Sequence, residues 1–491
     1  MTELSGTNDP NTPDPNTPDP SASSIPLEMR QTLIDAGQQH VVQFFEELNR
    51  KEREELLCQL KEIDFHQLSR LASADAARQE SPCDIGSIAP PSAVQADGAG
   101  VPWTIADARQ AGEESLRQGE VAAVIVAGGQ GSRLGFHHPK GMYPIGPVSN
   151  RTLFQIFADQ LLAVGRRFGV RIPLYLMTSE ATHDETEHYF ITNEYLGLKS
   201  EDVTIFKQGT MPAVEALTGK LLLASRSSLA LSPDGHGGTV TALNRAGCLD
   251  DADQRGVKQL AYIQIDNPLA HLCEPVLLGH HVLSKSEMTT QVVRKRHALE
   301  RVGNVVSIDG KVQIIEYSDL PEELATQQDD QGNLKYWAGN IAVHVLDLAF
   351  IKRSVDSVKS LPFHRAHKKV ACLAADGSQL DPDEPNAVKF ERFIFDLLPS
   401  ANNAVVVEAL ASEAFAPVKN AVGAPTDTAE LAKKAISDLH KSWLRESKIP
   451  FADSIKVEVN PCYALDLSEF AQKIDPAHRV TSDQYFEASS I

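Results

Sequence analysis

Short apolar runs rich in β-branched residues recur through the middle of the chain, and helix-patterned segments separate them. Strands that alternate with helices predict an α/β fold with a doubly wound, mostly parallel sheet covered by helices on both faces. In such a sheet, ligands bind beyond the carboxyl ends of the strands. The runs that we interpret as strands are Val121–Ala127, Ile172–Met177, Val203–Phe206, Leu260–Ile265, Val312–Tyr317, Ile341–Leu346 and Ala404–Glu408.

The amino-terminal part has a different character. The stretch "NTPDPNTPDP" writes a five-residue unit twice with almost nothing to bury, which predicts a disordered tail over residues 1–25. Beyond it, apolar residues recur at three- and four-residue spacing, as at Val42, Phe45 and Leu48. This spacing predicts two or three amphipathic helices. We interpret residues 26–110 as a helical domain with its linker.

The balance of charge argues against two classes of partner. The chain has 46 Lys and Arg against 66 Asp and Glu, a formal net charge of −20. Proteins that bind nucleic acid or anionic membranes normally present a basic surface, so we expect neither partner. No apolar run reaches the ~20 residues of a membrane span, and the acidic start does not resemble a signal peptide. The six cysteines form no C-x-x-C pair, which favours reduced thiols and a cytoplasmic location.

A glycine-rich turn follows the first apolar run, in "VAAVIVAGGQGSRLGFHHPKGMYPIG". Glycines without a Cβ let backbone N–H groups approach an anion closely. The spacing of Gly129, Gly131 and Gly135 is one residue longer than the dinucleotide fingerprint G-x-G-x-x-G, and the P-loop pattern is missing. A tight turn that binds no ligand is therefore an alternative. Arg133 and Lys140 place two cations near these glycines, a combination that favours phosphate binding.

The segment "AGGQGSRLGFHHPKGMYPIG" resembles the glycine-loop signature of the eukaryotic-type UDP-sugar pyrophosphorylases, most closely that of the UDP-N-acetylglucosamine branch. The resemblance spans roughly Gln110 to Val422. It implies a Rossmann-like, GT-A-like nucleotidyltransferase fold, with a catalytic domain over residues 111–400 and a small C-terminal domain over residues 401–491. Other segments similar to family landmarks, in the same order, are "KQGTMPAV", "SPDGHGGTVTAL", "YIQIDNPLA", "IIEYSDL", "AGNIAVHV", "DEPNAVKFERFIFD" and "FAPVKNAVG".

The resemblance implies that a sugar-1-phosphate attacks the α-phosphorus of UTP and that pyrophosphate leaves. The sugar phosphate is already an anion at neutral pH, so this reaction needs positioning and charge neutralisation rather than a side-chain nucleophile. The expected partners are UTP and a sugar-1-phosphate, with N-acetylglucosamine-1-phosphate as the expected acceptor. The expected cofactor is Mg²⁺. The sequence does not indicate an oligomeric state.

Site residues are carried over from the family by position. Arg133, Lys140 and Lys419 are the implied catalytic residues, with Lys419 approaching the α-phosphate from the side opposite the other two. Asp266 is the implied ligand of Mg²⁺, with phosphate oxygens and waters completing the coordination. Without the family, Asp266 would be better interpreted as a helix N-cap and Lys419 as surface charge. The implied UTP-binding residues are Val126, Ala127, Gly128, Gly129, Lys140, Gln208, Gly235, Asp266 and Lys419, of which Gln208 and Gly235 lie near the uracil.

The implied sugar-binding residues include one departure from the closest branch. His236 stands where the N-acetylglucosamine enzymes usually carry Asn and where UDP-glucose pyrophosphorylases usually carry His. A glucose acceptor is therefore an alternative. The polar side chains in the strand-like segments need partners, and a structural hydrogen-bond network could also provide them. The implied set is Gly128, Gly129, His236, Glu316, Tyr317 and Asn340.

Two further alternatives concern the class of protein. A nucleotide-sugar sensor without catalytic activity would need the pocket but not Lys140, Asp266 and Lys419 together. A dinucleotide-dependent oxidoreductase is disfavoured by the glycine spacing and by the lack of an acidic ribose-binding residue in the expected place. The motif "HDETEH" has a spacing of five residues rather than the four of H-E-x-x-H, which disfavours a zinc site.

Overall fold

The computed structural model describes residues 24–72, 88–357 and 361–488. The "NTPDP" repeat lies outside these residues, so its disorder stays a prediction. The chain divides into two compact units. The first comprises Met1–Ser81, Thr210–Asp234 and Phe363–Glu391, and the second comprises Pro82–Gly209, Gly235–Pro362 and Arg392–Ile491. Residues 110 and 400, where we predict domain boundaries, both fall within the second unit.

The strands are numbered in chain order. In the described residues they are β1 (Ile88–Ala89), β2 (Ala93–Val94), β3 (Val121–Val126), β4 (Leu174–Thr178), β5 (Val203–Lys207), β6 (Thr210–Pro212), β7 (Val214–Glu215), β8 (Leu223–Ser225), β9 (Ser228–Leu229), β10 (Leu231–Pro233), β11 (Gln259–Gln264), β12 (Met288–Arg294), β13 (Asn304–Ile308), β14 (Lys311–Ile315), β15 (Ala338–Asp347), β16 (His364–Lys368), β17 (Cys372–Leu373), β18 (Gln379–Leu380), β19 (Ala387–Glu391), β20 (Ala404–Glu408), β21 (Val457–Val459) and β22 (Gln484–Phe486).

The α-helices are numbered in the same way. Within the described residues they are α1 (Leu27–Asp35), α2 (Arg50–Lys61), α3 (Phe65–Ala72), α4 (Ile105–Arg117), α5 (Leu153–Phe168), α6 (His183–Thr192), α7 (Thr239–Arg245), α8 (Cys248–Gln254), α9 (Pro275–Leu283), α10 (Glu322–Ala325), α11 (Leu348–Ser354), α12 (Ala411–Ala414), α13 (Ala429–Glu446) and α14 (Leu467–Lys473).

The second unit is built on one large sheet. Its main path runs in the order β2-β20-β12-β15-β11-β3-β4-β5, and β13 pairs with β15, β14 and β1. Along this path neighbouring strands pair in parallel, except that β15 is antiparallel to both β11 and β12. The mostly parallel α/β sheet predicted from the sequence is therefore confirmed. The reversal of β15 was not foreseen.

Helices cover both faces of this sheet. Along β3, Val121, Ala123 and Ile125 belong to one apolar cluster, whereas Ala122 and Val124 belong to another. Helix α5 packs in the first cluster, and helices α7 and α8 pack in the second. Because a parallel strand buried on both faces has no polar side, β3 reads as a continuous apolar run.

The predicted runs all lie on strands, namely β3, β4, β5, β11, β14, β15 and β20, with small shifts at their ends. Strand β12 was missed. Its sequence, MTTQVVR, has polar residues at the second to fourth positions, although Thr289 and Thr290 are fully buried. The Thr289 hydroxyl pairs with His281 and the Thr290 hydroxyl pairs with His344, so partners elsewhere in the chain compensate for their burial.

The first unit combines helices α1–α3 with small antiparallel sheets and has its own apolar cluster, which includes Phe45, Leu56 and Phe390. The helical pattern around residues 42–48 proved misleading. That stretch forms two short 3₁₀ turns, Gln39–Val42 and Phe45–Glu47. Helix α2 begins only at Arg50, where the Asn49 side chain and Glu52 form a capping box at its first turn.

The end of the chain forms a small layer within the second unit. Helix α13 is capped at its start by Thr428, whose side chain accepts a hydrogen bond from the N–H of Leu431. Helices α13 and α14 with strands β21 and β22 share an apolar cluster around Trp443 and Phe470. Strand β21 also carries Glu458, whose buried carboxylate has a partner beside the glycine loop.

Candidate active site

The glycine loop follows β3 at the carboxyl edge of the sheet and turns back on itself. The N–H of Gly131 donates to the carbonyl of His138 at 2.9 Å, and the N–H of Lys140 donates to the carbonyl of Gly129 at 3.0 Å. Gln130 and Pro139 form a bridge between these two bonds. The loop therefore returns Lys140 to the side of Gly129, although the two residues lie far apart in the motif.

Gly128 contacts Gln208, as the shared UTP-binding role would require. A Cβ atom on Gly128 would lie 2.5 Å from Oε1 of Gln208, so only glycine fits here without displacing that side chain. Gln208 is buried and donates its backbone N–H to the carbonyl of Thr178, at the end of β4. The Ser179 hydroxyl donates to the carbonyl of Gly128 at 2.7 Å and fixes the loop from the same side.

Beyond these glycines, Lys140 lies beside one carboxylate and within electrostatic reach of two further cations. The Nζ atom of Lys140 lies 3.9 Å from Oδ2 of Asp266, and the two side chains are 17% and 16% exposed. Burial lowers the pKa of Lys140; the positive charges of Lys419 and Arg133 lower it further, whereas Asp266 opposes the shift. These groups come from three distant parts of the sequence and act on one another electrostatically.

The segment that carries Lys419 is joined to Asp266 through its backbone. The N–H of Val418 donates to the carbonyl of Asp266 at 2.8 Å. The N–H groups of Lys419 and Asn420 both donate to the carbonyl of Asp427, at 2.8 and 3.0 Å. Lys419 therefore sits in a closed loop whose first half is attached to the end of β11.

Glu316 and Asn340 form a second group around Gly303. A Cβ on Gly303 would lie 3.3 Å from Oε1 of Glu316 and 3.7 Å from Cβ of Asn340. The N–H of Asn340 donates to the carbonyl of Gly303, and its Oδ1 accepts from the N–H of Ala342. Ala342 has a φ of +56° at an irregularity in the β12–β15 pairing. Tyr317, beside Glu316, is half exposed.

His236 is held by the segment that precedes β20. Its Nδ1 accepts the backbone N–H of Ile394 at 3.2 Å, and its ring stacks on Phe393 with 5.1 Å between centroids. In the neutral ring the proton therefore lies on Nε2. Gly235 before it has a φ of +83°, a conformation that favours glycine.

Buried side chains link His236 to Asp266. The pKa of His344 on β15 is lowered to about 3 by burial, with a smaller contribution from His236. The ring of His344 contacts that of Tyr262 on β11 at 5.5 Å, and burial and Asp266 raise the pKa of Tyr262. Strand β15 carries both His344 and Asn340, so the second group lies on the same sheet edge as the cations.

Several residues that fix this site were not found from the sequence. Glu458 accepts hydrogen bonds from the N–H groups of Val148 and Ser149, in the turn that follows Lys140. Asn267 and Asp427 hold the Lys419 segment from two sides. Their partners lie far away along the chain, so no local pattern marks them. Asn267 stands directly after Asp266, and that adjacency was the one available signal.

Two negative results concern only the part of the chain that the structure describes. There, no group of three or more His, Cys, Asp or Glu residues could hold a metal ion. The same residues contain no helix that is both long and apolar enough to cross a membrane.

Comparison with known proteins gives the family. A family model described as UTP–glucose-1-phosphate uridylyltransferase matches residues 65–475. The chain belongs to this family. Its members are nucleotidyltransferases, and the resemblance noted in the glycine loop and the later motifs is confirmed.

Individual relatives extend this result over most of the chain. It is 35% identical over 473 residues to a Saccharomyces cerevisiae UDP-N-acetylglucosamine pyrophosphorylase, covering 91% of this chain and 98% of the relative. It is 34% identical to the human UDP-N-acetylhexosamine pyrophosphorylase-like protein 1, covering 87% of each chain. The solved UDP-N-acetylglucosamine pyrophosphorylase of Trypanosoma brucei matches with a TM-score of 0.78 at 24% identity, over 93% of this chain and 97% of that one. This last likeness supports the fold.

Proposed function

We propose that this uridylyltransferase transfers UMP from UTP to N-acetylglucosamine-1-phosphate and releases pyrophosphate. The observation that carries the proposal is the grouping of Lys419, Arg133 and Asp266 within electrostatic reach of Lys140, next to a glycine loop. Such a grouping suits a reaction in which two anions must be brought into line. The names of the curated relatives support the N-acetylglucosamine acceptor.

In this proposal the protein binds and orients both substrates without forming a covalent intermediate. The backbone of Val126–Gly129 faces the nucleotide, with Gly128 leaving room for Gln208 to contact the uracil together with Gly235. Lys140 and Arg133 bind phosphate oxygens of UTP, and Lys419 approaches the α-phosphate from the other side. The reacting oxygens then meet in line while these cations offset the charge that accumulates between them.

The residues present fit a magnesium ion held by one protein carboxylate. Asp266 lies 3.9 Å from the ammonium of Lys140, beyond hydrogen-bond distance, so its oxygens are not committed to that partner. Mg²⁺ usually keeps several waters and binds through one or two carboxylates plus substrate phosphates. Asp266 would hold the ion, which when bound neutralises charge on the triphosphate.

Glu316, Tyr317 and Asn340 are the proposed contacts to the sugar hydroxyls and the acyl group, together with His236 and the backbone of Gly128 and Gly129. A glucose acceptor is the second candidate, and His236 is the observation that favours it. Its Nδ1 accepts the N–H of Ile394, so this nitrogen is already used within the protein.

We also propose a cytoplasmic location. The cysteines in the described part of the chain are unpaired. Burial raises the pKa of Cys248 and of Cys273 to about 12, which keeps both thiols protonated and unreactive at neutral pH. Such thiols suit a reducing compartment.

The decisive experiment measures pyrophosphate release from UTP with each of four acceptors, the 1-phosphates of N-acetylglucosamine, N-acetylgalactosamine, glucose and galactose. We expect the highest kcat/KM with N-acetylglucosamine-1-phosphate. A preference for glucose-1-phosphate would replace the acceptor in the proposal. Binding of UDP-sugar without pyrophosphate release from any acceptor would favour the sensor. The variant Lys140→Ala gives the background rate.

A further inference from the structure

The residue after Asp266 makes contacts that the proposed reaction does not explain. Asn267 is 2% exposed. Its Nδ2 donates to the carbonyl of Ala414 at 2.7 Å, and its Oδ1 accepts the N–H of Ala416 at 3.0 Å. A flipped amide would place oxygen against oxygen and nitrogen against nitrogen, so these partners fix its orientation.

These two hydrogen bonds attach the stretch that leads to Lys419. Residues 415–419 belong to no helix or strand, so regular backbone pairing does not fix them. Their attachments are instead the Asn267 amide, the bond from Val418 N–H to the carbonyl of Asp266, and the bonds to Asp427 further on. Removing the Asn267 amide would leave the carbonyl of Ala414 and the N–H of Ala416 without these partners.

The electrostatics explain why such an attachment matters. Lys140 and Lys419 carry like charges, and the repulsion contributes to the lowered pKa of Lys140. This repulsion opposes their approach in the absence of substrate, so the backbone of the Lys419 segment helps to hold the charge in place. Catalytic groups displaced by about 1 Å can lose roughly 100-fold in rate.

We propose that Asn267 is a positioning residue, which holds Lys419 opposite Lys140 and beside Asp266. The inference rests on the role proposed above for Lys419. It predicts that Asn267 affects turnover only through that lysine.

Gln160 supplies a matched control. It is a buried amide on α5, 8% exposed, and its hydrogen-bond partners lie in the loop that follows Asn267. Its Nε2 donates to the carbonyl of Ala270 at 3.2 Å, and its Oε1 accepts the N–H of Leu272 at 2.9 Å. Gln160 thus resembles Asn267 in burial and in hydrogen bonding, but its side-chain bonds do not involve the segment that carries Lys419.

The test is a pair of double-mutant cycles, in which Asn267→Ala and Gln160→Ala are each combined with Lys419→Ala. We expect Asn267→Ala to lower kcat by about 10- to 100-fold. In the Lys419→Ala background the same change should cost less than about 3-fold, since coupled residues are not additive. Gln160→Ala should lower the thermal midpoint to a similar extent, keep kcat within about 3-fold, and combine additively with Lys419→Ala.

A second variant keeps the test valid if Asn267→Ala does not fold. In Asn267→Asp, one oxygen still accepts the N–H of Ala416 while the other faces the carbonyl of Ala414. The repulsion between these oxygens should lower kcat as Asn267→Ala does, and in the Lys419→Ala background the change should cost less than about 3-fold. A purely structural role would give the same loss in both backgrounds.

Two results would overturn the inference. Either Asn267 variant could keep wild-type kcat, or the losses from Asn267 and Lys419 could multiply. Each of these leaves the proposed function intact. Wild-type kcat in Lys419→Ala would instead refute the role of Lys419 and the inference together.

Discussion

The Nζ atom of Lys140 and Oδ2 of Asp266 lie 3.9 Å apart, so the two groups attract each other without forming a hydrogen bond. Both side chains are largely buried, and desolvation is the main reason that the pKa of Lys140 is lowered. An ammonium and a carboxylate kept apart in this way remain able to bind other groups. Burial of the charged Lys140 ammonium therefore lowers the stability of the free protein, and a bound anionic substrate would offset this loss.

That cost can be measured with Lys140→Met. A lowered pKa in the folded state means that the charged ammonium destabilises the fold at neutral pH, and this cost disappears as pH rises above the ordinary lysine range. We expect Lys140→Met to raise the thermal midpoint by a few degrees, about 1–3 °C, and to lower kcat by roughly 100-fold or more. Lys199→Met, at an exposed lysine, is the control and should change neither. A lower midpoint in Lys140→Met would contradict the electrostatic account.

Asp266→Asn tests the magnesium ligand. The amide keeps the shape of the carboxylate but loses its charge, so the Mg²⁺ concentration at half-maximal rate should rise by about 10-fold or more, with a lower kcat. The measurement is a titration of initial rate against Mg²⁺ at saturating UTP. Asp427→Asn, in the loop that holds Lys419, is the control for losing one negative charge near the site. An unchanged titration in Asp266→Asn would exclude that residue as the ligand.

Two neighbouring glycines should respond differently to a methyl group. In Gly128→Ala the new Cβ would lie 2.5 Å from Oε1 of Gln208, so that side chain has to move. We expect the KM for UTP to rise by about 10-fold, the loss of roughly one hydrogen bond. In Gly129→Ala the nearest atom is Cε of Lys140 at 3.9 Å, so the free protein should be as stable as the parent while UTP binding is weakened. The thermal midpoint of Gly128→Ala should therefore lie below that of Gly129→Ala, and equal midpoints would contradict this prediction.

His236→Asn tests the choice of acceptor. The change removes the stacking on Phe393 and the acceptor for the N–H of Ile394, so we expect a loss of about 1–2 kcal/mol in stability. We also expect the ratio of kcat/KM for N-acetylglucosamine-1-phosphate over glucose-1-phosphate to increase. Urea unfolding and the acceptor panel measure the two effects. An unchanged ratio would show that His236 is structural.

Acid should destabilise the protein through buried neutral histidines. Burial lowers the pKa of His281 to about 4, below its ordinary value near 6.5. The unfolded chain therefore binds a proton first as pH falls below 6.5, and each unit down to about pH 4 costs about 1.4 kcal/mol for this one group. We expect urea midpoints to fall between pH 6.5 and 5, and to fall less steeply in His281→Asn. Equal slopes would contradict the assignment.

The central sheet could be predicted because its strands are buried on both faces. The apolar runs of β3, β4 and β11 need no knowledge of their neighbours, and the strand–helix alternation predicts that they pair in parallel. Strand β12 could not be found this way, because its buried threonines depend on His281 and His344 for partners. The direction of β15 is set by its pairing with β11 and β12, and no local sequence pattern indicates it.

The residues of the candidate site fall into the same two classes, those that a local motif marks and those that depend on distant partners. Lys140 and Gln208 lie in motifs with characteristic neighbours, and the loop geometry that unites them follows from glycines visible in the sequence. Asn267, Glu458 and Asp427 act through backbone groups of residues that the sequence does not connect to them. A side chain whose hydrogen bonds go to the backbone of a distant segment produces no recognisable pattern in the sequence around it.

The reversed strand β15 has a consequence for how such an enzyme can diverge. Its amino end, with Asn340, reaches the edge where the parallel strands finish, and the β13–β14 hairpin flanked by Gly303 and Glu316 is the preceding pair of strands in the chain. Three of the proposed contacts to the sugar, Glu316, Tyr317 and Asn340, thus come from one continuous stretch of chain, whereas the cations come from elsewhere. Transplanting residues 303–340 between relatives would therefore exchange these three contacts together, while His236 and the nucleotide half stayed unchanged.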